Sequence, residues 1–195
     1  MVQMTIEQGN SSPLSLVAIV ESLLFVADAP VPVSQLAEAI ECDMREVEAA
    51  LQLLVETYAG RGLRVQRKGH QVQLVSAPEV APYIERFLGL SLSSKLSAAA
   101  LETLAIIAYQ QPITRPQIDA IRGVSSDGVL RTLTSKGLVE EVGRLETVGH
   151  PILFGTTFEF LRYFGLSSLN DLPPLEIAEA KEVTGQPGNA DAPWS

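Results

Sequence analysis

The chain has 195 residues, 46% of them hydrophobic, enough to bury one or two small cores. Its formal charge of −9 argues against sequence-independent binding to nucleic-acid phosphates, which needs clustered Lys and Arg. One cysteine, Cys42, excludes an internal disulfide and fits a reducing compartment.

The acidity is uneven, with a formal charge of −4 over residues 14–89, −1 over 97–165 and −4 over 166–195. Residues 1–13 are polar and end in a Gly, Asn, Ser and Pro cluster, which predicts a disordered N-terminus. The apolar run Leu14 to Val26, followed by Ala27-Asp28-Ala29, superficially resembles a secretory signal. However, no Lys or Arg occurs before Arg45, and the run is shorter than the ~20 residues that span a bilayer. No membrane anchor and a cytoplasmic location are therefore expected.

Within Leu14 to Ala27 the residues Leu16, Ile19, Val20, Leu23 and Leu24 follow the helical period, yet Leu14, Val17, Ala18 and Phe25 are apolar too. A helix apolar on all sides is buried on more than one side. Either its own wing or a second subunit covers the extra face. The candidate dimer contacts are Leu14, Val17, Glu21 and Leu24, and Val17→Glu is expected to yield monomers.

A short helix over Val33 to Ile40 follows Pro30 and Pro32, and Asp43 caps a longer one reaching Tyr58, with Val47, Leu51, Leu54 and Tyr58 on one face. Leu63 to Lys68 and Gln71 to Ser76 alternate as a hairpin turned at Gly69 and His70, and Pro78 opens a short helix ending near Gly89.

The same order recurs about 80 residues later. After a linker over 90–96, Ser97 caps a helix through Tyr109 with Leu101, Leu104, Ala105 and Ala108 as its core stripe. Thr114 and Gln117 form a capping box, Pro116 sits in the first turn, and Ile118 and Ile121 supply a buried face. Arg122, Gly123 and Val124 make a tight turn, Ser125 caps the next helix with Val129, Leu130 and Leu133 inward, and Gly137 ends it. Leu138 to Val142 and Ile152 to Thr156 read as a second hairpin, and Phe158 to Phe164 as a last helix. The fold class is therefore mainly α with small β-hairpin wings, as two tandem winged-helix domains at 14–89 and 97–168. An acidic disordered tail is expected over 169–195, with Trp194 unexplained.

Catalysis is not supported. His70 and His150 lie in separate wing tips without Cys, Asp or Glu at metal-ligand spacing, and Gly60-Arg61-Gly62 lacks the strand and the GK[ST] of a phosphate loop. No metal, no cofactor and no catalytic residue are assigned. DNA recognition meets an acidic second helix in the first unit, with Glu46, Glu48 and Glu56, and a second-unit helix lacking base-reading side chains. Arg61, Arg64, Arg67, Lys68 and His70 form a basic cluster in the first wing, so DNA contact is expected to be indirect or weak. Protein binding remains, carried by an apolar surplus at Phe158, Phe160, Tyr163, Phe164 and Leu166, with Arg115 and Arg122 as forked donors.

Gln111-Pro112-Ile113-Thr114-Arg115, Ile121-Arg122-Gly123-Val124, Ser126-Asp127-Gly128, Gly155-Thr156-Thr157 and Leu172-Pro173-Pro174-Leu175 resemble the ScpB family over roughly Leu14 to Leu175. ScpB is the segregation and condensation protein that accompanies bacterial SMC and its kleisin ScpA. The resemblance implies two winged helices, homodimerisation, kleisin binding and, through the kleisin, SMC, with a role in chromosome condensation and segregation at the nucleoid. The candidate kleisin contacts drawn from the residues themselves are Arg115, Arg122, Phe160, Tyr163 and Phe164. The alternative reading is a winged-helix DNA-binding transcriptional regulator.

Overall fold

The computed structural model describes residues 14–89 and 95–175. The expectations for residues 1–13, for most of the linker and for the tail beyond Leu175, Trp194 included, lie outside the described residues.

In the first half, α1 (Leu16–Val26) is capped by the Ser15 hydroxyl, which accepts from the Ala18 N–H at 3.2 Å. It lies across α3 (Met44–Thr57), with α2 (Val33–Ile40) completing the three-helix core. The α3 start is a full capping box: Asp43 accepts from Arg45, and Glu46 reaches back to the Asp43 N–H. Val20, Leu24, Leu36, Val47, Leu51 and Leu54 fill the core. Each such side chain contributes about 1.5–3 kcal/mol on removal from water. The wing strands β2 (Leu63–Lys68) and β3 (Gln71–Ser76) pair antiparallel, and β1 (Val31–Pro32) adds to β3. β1 escapes sequence reading because two residues hold no alternation and one is a proline. Helix α4 (Ala81–Leu88) follows and has no buried residue.

The second half repeats the plan with α5 (Ala98–Gln110), β4 (Ile113–Thr114), α6 (Arg115–Arg122), α7 (Asp127–Ser135), β5 (Val139–Arg144), β6 (Ile152–Thr156) and α8 (Phe158–Phe164). Its sheet order, β4-β6-β5, mirrors β1-β3-β2. These are two winged helices in tandem.

Several expected details move. Ile121 is exposed, because α6 is short and its inward face is spent on Ile118. The N-cap residue of α7 is Ser126 rather than Ser125; its side chain makes no cap bond, and Asp119 Oδ1 satisfies this helix end by accepting from the Ser126 N–H at 2.7 Å. Leu101 and Ala105 are exposed, while Ala100, Thr103, Leu104, Ile107 and Ala108 form the inner face of α5. Residues 169–175 do not belong to a disordered tail. A 3-10 turn over Leu169–Asp171 closes with its own capping box, and Leu169 and Leu172 pack on the second core. Composition counted over the whole tail hid these two leucines.

The residues most specific to the resemblance build the scaffold. Gln111 precedes a cis proline and clamps β6, its Oε1 accepting from the Thr156 N–H at 2.8 Å while its Nε2 donates to the Ala108 carbonyl at 3.1 Å. Thr156 is fully buried. Gly155 is obligatory beside it, because a Cβ there would meet Val142 at 2.9 Å and Gln111 Oε1 at 3.0 Å. Gln111→Ala orphans a buried N–H and is expected to lower stability by about 1–3 kcal/mol. Urea unfolding should show a lower midpoint at unchanged slope.

The halves touch through the first wing. Gln66, buried in β2, donates from Nε2 to the Leu166 carbonyl at 2.7 Å, and the Arg67 N–H donates to the Ser167 carbonyl at 2.8 Å. Lys68 pairs with Glu140 across the same seam. Gly165, at φ +68°, lets Pro78 approach to 2.8 Å of where a Cβ would stand.

Tyr58 closes the first core and donates its hydroxyl to Glu21. Burial, then the hydrogen bond and charge of Glu21, push the phenol up to about 12. The neutral phenol is thus the form that the fold favours. Its stabilisation is complete below the ordinary tyrosine value of ~10 and is lost as pH rises from there through about 12. Thermal melts across this range should fall more steeply for the wild type than for Tyr58→Phe, which has nothing to ionise.

Candidate functional site

The described surface offers two apolar features and one mixed cleft. The first feature is a groove of about 410 Å³ between α5 and α8, walled by Leu101, Leu104 and Ala105 on one side and Phe164, Leu166 and Leu172 on the other. α8 forms here because the Thr157 hydroxyl caps it, accepting from the Phe160 N–H at 3.1 Å, and Gly165 ends it in the left-handed conformation. Seven residues cannot turn four aromatic rings inward, so the ring set splits. Phe160 is core, at 2% exposure, whereas Tyr163 and Phe164 stand nearly half exposed. Phe164 bridges them, with centroids 5.0 Å from Phe160 and 5.1 Å from Tyr163. Its ring is therefore held in place before any partner arrives.

The second feature is α4. Tyr83, Ile84, Phe87 and Leu88 recur at helical spacing, and Phe87 is 88% exposed, the barest ring in the first half. Pro82 in its first turn and left-handed Gly89 at its end bound the helix. Sequence reading placed a short helix here but gave its apolar residues no role.

The predicted site residues do not converge. Leu14, ahead of α1, is exposed, but on the helix Leu24 is buried at 3% and Val17 packs on the core of its own chain. Glu21 is held by Tyr58. Of the extra apolar face that made α1 look intersubunit, Val17 packs on the first core, while Leu14 ahead of the helix and Phe25 and Val26 at its end stay bare. Phe160 is likewise withdrawn into the core. Arg122 is not a rim donor: its side chain is 6% exposed and pairs with Glu102 at 3.2 Å across α5 and α6. Arg115 lies in a separate place, pairing with Asp127 at 2.9 Å beside α7.

The first-wing basic cluster is largely neutralised. Arg67 makes a forked pair with Glu48, both bonds 2.6 Å, so the charged partner on α3 that would repel phosphate instead ties helix to wing. That hydrogen bonding holds the Glu48 carboxyl below the usual range. Arg64 pairs with Glu79 at 2.5 Å and Lys68 with Glu140. Among the described residues no group of three or more His, Cys, Asp or Glu is placed to hold a metal, and no helix is long and apolar enough to cross a membrane.

Fold and surface together define a tandem winged-helix protein with two uncovered apolar features. The family model for the segregation and condensation complex subunit ScpB matches residues 18–175. The segregation and condensation protein B of Moorella thermoacetica is 49% identical over 174 residues, spanning 88% of this chain and 89% of that protein. Those of Halalkalibacterium halodurans and Clostridium botulinum are 48% and 46% identical over 161 residues, covering 81% and 82% of this chain and 82% and 83% of theirs. Among solved structures, ScpB from Mycobacterium tuberculosis is 38% identical, covering 80% of this chain and 99% of that one, with a TM-score of 0.37. A dimer of the ScpB N-terminal domain complexed with an ScpA peptide is 31% identical over 36% of this chain and 91% of that one, with a TM-score of 0.34. The chain belongs to the ScpB family.

Proposed function

We propose that this chain is the non-catalytic, homodimeric subunit of a bacterial condensin-like SMC complex, acting in the cytoplasm at the nucleoid. It binds the kleisin ScpA, and through it SMC, in support of chromosome condensation and segregation. The carrying observation is identity of 46–49% with segregation and condensation protein B over more than four fifths of the chain. The winged-helix regulator reading loses support once Arg64, Arg67 and Lys68 of the first wing are counted as paired.

Roles divide between the units. Residues 14–89 form the dimerising domain, with the α4 stripe as the intersubunit contact and the bare end of α1 beside it in function. Tyr83 and Phe87, rings of about 150–250 Å² each that are mostly exposed, supply a part of the ~800 Å² per partner of a stable interface. Residues 97–168 form the second domain, whose α5–α8 groove takes an apolar segment of the kleisin on Phe164 and Tyr163. Residues 90–96 link the two. Sedimentation of the free protein, followed by titration with the central segment of its own kleisin, tests both halves. A monomer that ignores the kleisin overturns the proposal.

A further inference from the structure

The mixed cleft lies between α7 and the second wing, encloses about 700 Å³ and is distinct from both apolar features. Its floor is apolar, made by Leu130, Ile152 and Phe154, and its rim is cationic. Arg115 and Arg131 share one carboxylate, Asp127, at 2.9 and 2.5 Å. Arg144 donates to the His150 carbonyl at 3.2 Å and has no carboxylate partner among the described residues. A ligand for this cleft needs separated negative charges and a flat apolar group.

The chain carries such a ligand beyond Leu175. Residues 176–195 hold Glu176, Glu179, Glu182 and Asp191 against the single Lys181, and they include Trp194, the one tryptophan of the sequence. Reach is not limiting. The Tyr109 hydroxyl donates to the Pro173 carbonyl at 2.6 Å, and Tyr109 precedes Arg115 by six residues, no more than ~20 Å of chain. Twenty residues extend to ~65 Å. A segment tethered this closely acts at an effective concentration in the millimolar range, so weak contacts suffice to populate the bound form. The α5–α8 groove lies nearer but has no cation among its lining residues to meet four carboxylates.

We propose that the α7–wing cleft is the docking site of the chain's own segment 176–195, with Trp194 on the apolar floor and its carboxylates on Arg131 and Arg144. An arginine beside the indole adds cation–π attraction.

Trp194 reports on its own position, because all tryptophan emission of the full chain comes from it. The full-length protein is compared with the free peptide 176–195 and with the full-length double variant Arg131→Glu/Arg144→Glu. Both arginines are exposed, so circular dichroism should find the variant folded. The expected result is blue-shifted emission and at least three-fold weaker acrylamide quenching in the wild type, reverting to the peptide values in the variant and unchanged on dilution. Peptide-like emission in the wild type overturns the proposal. So does shielding that survives charge reversal, that responds instead to Phe164→Ala, or that is lost on dilution, which would place the segment on another surface or another copy.

Discussion

Phe87→Glu is expected to separate the dimer into folded monomers. The ring is 88% exposed, with little to lose among the described residues, so a charge there leaves the monomer intact, while an unpaired carboxylate buried against the partner opposes association strongly. A loss of at least 2 kcal/mol, about thirty-fold in the dimer constant, is the minimum for an anchor of this kind. Val17→Glu should behave differently from the sequence-based expectation. Val17 packs on the first core, so the charge should lower the unfolding midpoint before it changes the oligomeric state. Sedimentation and urea unfolding of the two variants separate these effects. A wild type already monomeric at micromolar concentration, or a Phe87→Glu variant still dimeric, would remove α4 from the interface.

Phe164→Ala should weaken kleisin binding by about 2 kcal/mol or more, some thirty-fold, with the protein still folded. The prediction follows from its position: nearly half exposed at the groove, yet held by rings on both sides. Phe160→Ala should instead lose about 3–5 kcal/mol of stability, as large-to-small changes in a core do. Arg115→Ala should leave kleisin affinity nearly unchanged, because its guanidinium sits at the α7 cleft with Asp127 and not at the groove. Calorimetry with a kleisin fragment reads all three. Unchanged affinity in a folded Phe164→Ala variant would empty the groove of its proposed role.

The elements were legible because their signals are local. Asp43 with Glu46 and Thr114 with Gln117 satisfy helix ends within four residues, and the structure uses both boxes. The hairpin from Leu63 to Ser76 alternates and turns at Gly69, so its register follows from its own pattern. β1 and β4 were invisible because two residues have no period, and they exist only because β3 and β6 offer an open edge.

The candidate site was only partly legible, since an apolar surplus can be counted in a sequence but not assigned to inside or outside. Of the rings at the end of the second unit, packing took Phe160 and left Phe164. Of the two arginines proposed as rim donors, one is covered and the other faces a different cleft. By itself the sequence determined the two winged helices, their caps and turns, and the family, because each rests on residues within a few positions of one another. Only the tertiary structure decided which apolar residues remain on the surface, which cations are already paired, and where the two halves touch. Those outcomes depend on contacts between residues tens of positions apart, such as Gln66 with Leu166, whose proximity no local pattern encodes.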